Sequence, residues 1–289
     1  MKMVIRPSGP FNLWLGLRDA TRQPFGLTER LAGREYQTVL LDRLVLVGQN
    51  ELNGPLKVSF DGDDPQIAQR ISMEIQRRFG LQQDLPAFYK FARKESTIRQ
   101  LVKSLHGLTM FQKSSPFEAL VTAIVDQQLT VSFTTRLKGR LITKFGRKYR
   151  FGSAEFRTFP SPETLAGQEE ECLRPLQYSA SKSRSVVRLA KGVVAGDYPL
   201  DNWSTLNDDD LVSALMRIHG VGRWTAEYGA MLGYNRCDVV PAADIGLQRA
   251  IQRCYGWATR PEEKEVRALA ENWRPWRGLF TYYLWHAFE

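Results

Sequence analysis

The chain has 289 residues, with 40 Lys and Arg against 31 Asp and Glu, so its formal net charge is +9. A chain of this length exceeds the usual size of one domain, and we expect two lobes with separate cores. The positive charge suits a polyanionic partner, although many basic proteins bind no nucleic acid. No stretch approaches the roughly 20 apolar residues that span a membrane and the N-terminus lacks a secretory pattern, which predicts a cytoplasmic protein.

The three cysteines also limit the function. Cys172, Cys237 and Cys254 are far apart, odd in number and never in a CxxC pair. Neither a disulfide framework nor a cysteine metal site is therefore expected, and a reducing compartment fits best. We expect no metal and no cofactor.

The first part of the chain has the pattern of a small β domain. Short apolar runs at Phe11–Leu17 and Gln37–Val47, the second with several β-branched residues, predict strands, and a hairpin is expected in this part of the chain. Leu56–Phe60 is a further predicted strand. Residues 63–65, Asp-Asp-Pro, predict the start of a helix because proline is favoured in a first turn.

Beyond about residue 84 the pattern is helical almost without interruption, with glycine and proline breakers. We therefore predict an α+β protein with a β-rich domain at 1–84 and an all-α domain at 85–289. Within the second domain, residues 136–150 carry seven cations and no acid. This basic run is typical either of a phosphate-binding surface or of a solvent-exposed helix face with extended side chains.

The strongest local pattern lies at 211–227. Three aspartates at 208–210 favour a helix start, and the apolar spacing predicts a helix that ends near Arg217. Gly220 and Gly222 bracket Val221 and permit positive φ angles, and a second helix is predicted from Arg223. Backbone N–H groups of such a turn form a phosphate site that ignores base sequence. An ordinary turn between packed helices is the alternative.

Residues 218–226, Ile-His-Gly-Val-Gly-Arg-Trp-Thr-Ala, resemble the hairpin of the helix-hairpin-helix (HhH-GPD) DNA glycosylases, especially the bacterial AlkA-type 3-methyladenine DNA glycosylase II branch. Segments 116–130, 159–165 and 273–277 match in the order that the family has them. The resemblance covers the chain from about Gly80 to its end, and the first 80 residues match in outline. It implies a small N-terminal antiparallel β-sheet domain followed by a mainly α-helical HhH-GPD domain of two helical lobes, with the hairpin at 211–232 and the active site between the lobes.

Asp244 is the candidate catalytic carboxylate. By itself it is typical of an N-cap for a helix that starts at Ile245. The resemblance implies that this position, 22 residues after Gly222, carries the catalytic aspartate, and an N-cap is compatible with that role. Asp238 is the nearest rival, and we assign it a structural role as a cap or ion-pair partner.

The hairpin also indicates the type of reaction. Trp224 stands where lyase members of the family carry a lysine, and residues 211–260 contain no lysine. Because a lyase needs an amine nucleophile, a monofunctional glycosylase is predicted. The iron–sulfur members of the superfamily use four cysteines near the C-terminus, and only Cys254 follows Asp244.

An aromatic trio is the candidate base pocket. Trp224 and Tyr228 are four residues apart on the second hairpin helix and share a face. The resemblance implies that they line the pocket together with Trp285. An aromatic face attracts a cation, and 3- or 7-alkylated purines are cationic. Packing in a core is the alternative for these side chains.

An enzyme that acts on a base in a duplex must flip it out and fill the gap. The resemblance places Gln127, Gln128 and Leu129 at that position, and the sequence leaves open whether Gln128 or Leu129 is the wedge. A helix-end turn with Gln127 capping backbone groups is the plainer interpretation. The remaining predicted DNA contacts are Gly220, Val221, Gly222 and Arg223.

Together these features predict a monofunctional DNA glycosylase that excises alkylated bases of the 3-methyladenine and 7-methylguanine type. The expected partner is double-stranded DNA with damaged bases, bound by a monomer in the cytoplasm at the nucleoid, with no membrane. Three alternatives remain: a non-catalytic helix-hairpin-helix DNA-binding protein, a glycosylase for oxidised or deaminated bases, and an RNA-binding protein.

Overall fold

The computed structural model describes residues 1–20 and 26–287, with the backbone alone at 18–20. The N-terminal part contains a five-stranded antiparallel sheet in the order β1-β5-β4-β3-β2. Its strands are β1 (Lys2–Ile5), β2 (Glu29–Ala32), β3 (Glu35–Leu40), β4 (Arg43–Gln49) and β5 (Leu56–Phe60). The predicted hairpin is the β3–β4 pair, in which Tyr36 lies opposite Val47. The prediction of a sheet domain is confirmed, whereas β1 and β2 were not predicted.

Two helices cover this sheet, α1 (Leu13–Ala20) and α2 (Pro65–Arg78). The predicted strand at Phe11–Leu17 is wrong, because α1 occupies most of it. Leu13 and Leu17 are four residues apart, so a helix buries both in the sheet core, and Asn12 accepts a hydrogen bond from the backbone of Trp14. Helix α2 starts as predicted, with Asp64 accepting bonds from the first-turn N–H groups.

The rest of the chain is mainly helical. Its helices are α3 (Leu85–Ala92), α4 (Arg99–Ser104), α5 (Pro116–Asp126), α6 (Val131–Phe145), α7 (Pro162–Ala166), α8 (Ala180–Ala195), α9 (Asp208–Met216), α10 (Arg223–Tyr234), α11 (Ile245–Tyr255), α12 (Glu263–Ala270) and α13 (Arg277–Trp285). Helix α5 packs closely against α10 at Gly229. A Cβ at this position would lie only 2.7 Å from Leu120. This contact fixes the hairpin helix relative to the loop after α5.

A second, two-stranded sheet interrupts the helices, formed by β6 (Lys148–Phe151) and β7 (Ala154–Arg157). The expectation of an all-α second domain was therefore wrong at this point. The alternation of Tyr149 and Phe151 with basic residues is the period-two pattern of a strand, concealed in the basic run. Phe156 of β7 packs against Val39 of β3 and so connects the helical part to the first sheet.

The basic run at 136–150 spans α6 and β6, and several of its cations have acidic partners. Lys138 is buried against Asp126 at 3.0 Å, and Lys148 pairs with Glu155. Arg147 lies 3.2 Å from Asp42 on the sheet domain. These pairs favour a structural role for much of the run. Within the described ranges, none of the helices has the length and apolar content to cross a membrane.

Candidate active site

The hairpin forms as predicted between α9 and α10, with small corrections. Asn207 caps α9, and the three aspartates that follow lie in its first turn. Gly220 has a φ of +83°, and a Cβ there would lie 2.2 Å from Ser185 Oγ, so both backbone and space require glycine. Gly222 has a φ of −85°, so only Gly220 uses the positive φ that both glycines permit. No atom lies within 4 Å of a Cβ built on Gly222, which leaves the turn open toward solvent.

Asp244 is the N-cap of α11, as its sequence position predicted. Its Oδ1 accepts a hydrogen bond of 2.7 Å from the backbone N–H of Leu247. Two indole N–H groups also reach the carboxylate, Trp285 at 3.0 Å from Oδ1 and Trp224 at 3.1 Å from Oδ2. Three donors from three different helices therefore fix the orientation of one half-buried carboxylate.

The aromatic trio of Trp224, Tyr228 and Trp285 is continuous. The ring centroids of Trp224 and Tyr228 are 5.6 Å apart, and those of Tyr228 and Trp285 are 6.0 Å apart. All three side chains are half-buried and line the cleft beside Asp244, unlike the fully buried Tyr282 and Tyr283. Exposure to a cavity favours the pocket interpretation over core packing.

This cleft has a volume of about 1870 Å³ and lies between the sheet domain and the helical part. Its lining also includes Glu29 of β2 and Tyr36 of β3, which sequence reasoning missed because β2 was not predicted and the predicted run began only at Gln37. The Tyr36 hydroxyl donates a hydrogen bond to Glu29. Burial raises the pKa of Glu29, and the bond from Tyr36 acts in the opposite direction. The cleft is thus aromatic near Asp244, and its lining from the sheet domain carries the hydrogen-bonded Tyr36–Glu29 pair.

The loop after α5 borders the same cleft. Gln127 ends α5, and its Nε2 donates to Gly220 O at 3.1 Å and to Thr225 Oγ1 at 2.9 Å. The Gln127 side chain thus bonds the hairpin, 93 residues away in sequence, rather than the end of its own helix. Gln128 has a φ of +56°, and Leu129 remains 39% exposed. Both candidate wedge residues lie at the cleft edge.

Arg223 begins α10 and is largely exposed. Its guanidinium bonds Glu227 Oε1 at 2.9 Å, and the buried Glu227 is also held by Arg267 at 2.8 Å. This carboxylate between two arginines orients Arg223 next to the open turn. Asp238 bridges Arg274 and Arg277, which confirms the ion-pair role predicted for it.

A hairpin between two helices, followed by a helix capped by an aspartate inside an aromatic cleft, defines the helix-hairpin-helix class of DNA-acting proteins. The family model described as HhH-GPD superfamily base excision DNA repair protein matches residues 121–275, more than half of the chain. The protein belongs to this superfamily.

Known proteins with similar sequences and structures agree with that membership. A DNA-3-methyladenine glycosylase of Bacillus subtilis is 25% identical over 237 residues, covering 81% of this chain and 78% of the relative. The structure of a 3-methyladenine DNA-glycosylase from Archaeoglobus fulgidus superposes with a TM-score of 0.86 at 22% identity, covering 98% and 97% of the two chains. An 8-oxoguanine glycosylase/lyase from Clostridium acetobutylicum shares the fold with a TM-score of 0.79 at 16% identity, covering 100% and 96%.

Proposed function

We propose that this protein is a monofunctional DNA glycosylase that flips alkylated bases out of double-stranded DNA and hydrolyses their N-glycosidic bonds. The observation that carries the proposal is Asp244, a carboxylate held by the indoles of Trp224 and Trp285 inside the cleft. The name of the Bacillus subtilis relative supports an alkylated base as the substrate.

Asp244 has the geometry for the bond-breaking step. Departure of the base builds positive charge on the sugar, which a nearby fixed carboxylate stabilises. A carboxylate has about four acceptor positions. Hydrogen bonds among the described residues use two on Oδ1 and one on Oδ2, which leaves one on Oδ2 for the sugar cation or the attacking water. Oδ2 is therefore the oxygen that we assign to catalysis.

The aromatic trio would hold the flipped base. Its faces provide stacking for any base and an additional attraction for a cationic one. A base alkylated at N3 or N7 of a purine carries that charge and leaves readily, so one carboxylate suffices. The pocket therefore favours 3-methyladenine and 7-methylguanine over neutral lesions.

The hairpin and the loop after α5 would hold the DNA. The open turn at Gly222 lets a phosphate approach the backbone N–H groups, and Arg223 adds charge beside it. Gln128 or Leu129 would enter the duplex, since both lie at the cleft edge. A DNA substrate would place the protein at the nucleoid, where we propose that it acts as a monomer.

Incubation with methylated duplex DNA, followed by chromatography of the released bases, tests the proposal. Release of 3-methyladenine or 7-methylguanine with an intact abasic strand is the expected result. A duplex containing 8-oxoguanine in a parallel reaction tests the oxidised-base alternative. Tight DNA binding without release of any base would instead support the non-catalytic alternative and overturn the proposal.

A further inference from the structure

Lys182, in the first turn of α8, makes an unusual set of contacts. Its Nζ donates to three backbone carbonyls of the α5 end, Ile124 O at 2.6 Å, Gln127 O at 2.8 Å and Val125 O at 2.9 Å. A lysine ammonium has three donors, so this set satisfies its full capacity. The side chain is half-buried, and no part of the proposed chemistry above uses it.

The first turn of a helix is an unfavourable position for a lysine unless other contacts compensate for its charge. A cation in the first turn of a helix opposes the dipole of its own helix, here α8. The same charge is favourable at the C-terminal end of α5, where carbonyls lack helical partners. Because Gln127 O lies beyond the helix, the ammonium fixes both the last turn of α5 and the first residue of the loop after it.

That loop is held from two other directions. The Gln127 side chain bonds the hairpin at Gly220 O, and Lys138 of α6 pairs with Asp126. Lys182 completes the attachment from α8. The next residues, Gln128 with its positive φ and the exposed Leu129, project from this fixed base. The loop thus has a rigid support and an exposed tip.

We propose that Lys182 is a positioning residue that holds the loop at 127–129 in the conformation that enters DNA during base flipping. The inference rests on the proposed glycosylase function, because it assigns a role to that same site. Lys182 touches neither the base pocket nor Asp244, so its effect is expected on flipping rather than on bond cleavage. Loss of this support would let the tip move, and small displacements of such elements cost large factors in rate.

The proton on Lys182 supplies an independent readout. Burial lowers its pKa to about 8, and the charge of Asp126 acts in the opposite direction. Lys138 faces Asp126 from α6 and is paired with it. Above about pH 8 the neutral amine has two donors for three carbonyls, so loop support weakens. The pKa of Lys182 in the folded protein lies below the usual 10.5, so deprotonation between about pH 8 and pH 10.5 favours the folded state. Weaker flipping in that pH range is therefore not caused by unfolding that Lys182 drives.

The test compares Lys182→Met with Lys191→Met, a control on an exposed lysine of the same helix. Insertion is followed by the fluorescence of 2-aminopurine beside a stable abasic-site analogue, which requires no base excision. Single-turnover excision of 7-methylguanine is measured opposite cytosine and opposite an abasic site. We expect Lys182→Met to lower insertion and to slow excision from the paired duplex by about 10- to 100-fold. The loss should be several-fold smaller opposite the abasic site, where less base pairing resists flipping.

Equal losses on the two duplexes, or unchanged 2-aminopurine fluorescence, would overturn the inference. If Lys182→Met does not fold, Lys182→Arg provides the test, because the guanidinium keeps the charge but spreads its donors over a planar fork instead of one nitrogen. The wild-type fluorescence change should also weaken from pH 7 to pH 9, whereas that of Lys182→Arg should not. A wild-type protein that excises nothing would instead contradict the proposed function, and the fluorescence result would still decide the role of Lys182.

Discussion

Trp285 and Asp244 are joined by a hydrogen bond of 3.0 Å from the indole N–H to Oδ1, although 41 residues separate them in sequence. The bond connects the last helix, α13, to the cap of α11. One side chain therefore contributes a ring to the pocket and a donor to the carboxylate. These two contributions can be separated by substitution.

Trp285→Phe keeps a ring and removes the donor, whereas Trp285→Ala removes both. We expect Trp285→Phe to slow excision of all alkylated bases to a similar degree, because Asp244 loses one orienting bond. Trp285→Ala should additionally weaken excision of cationic 7-methylguanine more than that of neutral hypoxanthine. Single-turnover rates on the two substrates measure this. Wild-type rates for Trp285→Ala on every base would show that the residue is merely packed.

Asp244→Asn should abolish excision and leave damaged-DNA binding nearly unchanged. The amide keeps the shape and can still cap α11, but it lacks the charge that stabilises the sugar cation. Loss of such a group costs about 10²–10⁴-fold in rate or more. Single-turnover base release and DNA binding are measured in parallel.

Asp238→Asn is the matched control for Asp244→Asn. It removes a nearby carboxylate that bridges Arg274 and Arg277, so thermal stability should fall while excision is largely retained. Excision by Asp244→Asn within a few-fold of wild type would refute the catalytic assignment. An Asp238→Asn protein that is folded but excises no base would also refute it.

Gly220→Ala should lower the stability of the protein, whereas Gly222→Ala should lower its affinity for DNA. A left-handed φ and the contact with Ser185 make alanine unfavourable at Gly220, with a cost of about 1–3 kcal/mol. At Gly222 the φ is ordinary and the space is open, so stability should hold while DNA affinity falls because a methyl group obstructs the phosphate. Thermal unfolding and DNA titration of both variants test this. Comparable unfolding temperatures for the two variants would contradict it.

No covalent intermediate should form with DNA, because the resemblance puts Trp224 at the hairpin position of a lyase lysine. Borohydride reduction during the reaction should trap no enzyme–DNA adduct. A glycosylase/lyase of the same superfamily serves as the positive control. A trapped species with this protein would show that another amine acts as nucleophile.

DNA binding should weaken steeply with salt, because the proposed contacts address phosphates. Since Lys148 is already paired with Glu155, Lys148→Ala should change affinity little, whereas Arg223→Ala should reduce it. Titrations at several salt concentrations give both results. A flat salt dependence, or a larger loss for Lys148→Ala than for Arg223→Ala, would argue against the hairpin as the phosphate site.

The sequence predicted the features that depend on local chemistry. The hairpin bounds and the cap at Asp244 follow from residue types at fixed spacing, and each is present. The resemblance supplied the aromatic trio, which the structure brings together. Contacts between distant segments could not be predicted. No sequence pattern marks Lys182, because only the fold places three carbonyls around it.

The prediction of secondary structure failed where the residue pattern fitted more than one conformation. The segment Phe11–Leu17 has apolar residues that suit a strand or a helix, and burial of Leu13 and Leu17 on one side decided for the helix. The strand β6 was hidden because its alternating aromatic residues lie inside a run of cations. In both cases, tertiary packing decided between two locally acceptable conformations.

The small β6–β7 hairpin has a mechanical consequence for a substrate. Phe156 packs on Val39, and the backbone N–H of Arg157 donates to Leu27 O at 2.6 Å. These contacts connect the sheet domain to the helical part, which form the two walls of the cleft. Such contacts would hold the width of the cleft, so that bending during the proposed reaction would fall on the duplex. Elastic deformation of a short site costs about 1–6 kcal/mol and depends on base sequence. Neighbouring steps that kink easily, such as TA and CA, would then be repaired faster than stiff A-tracts carrying the same lesion.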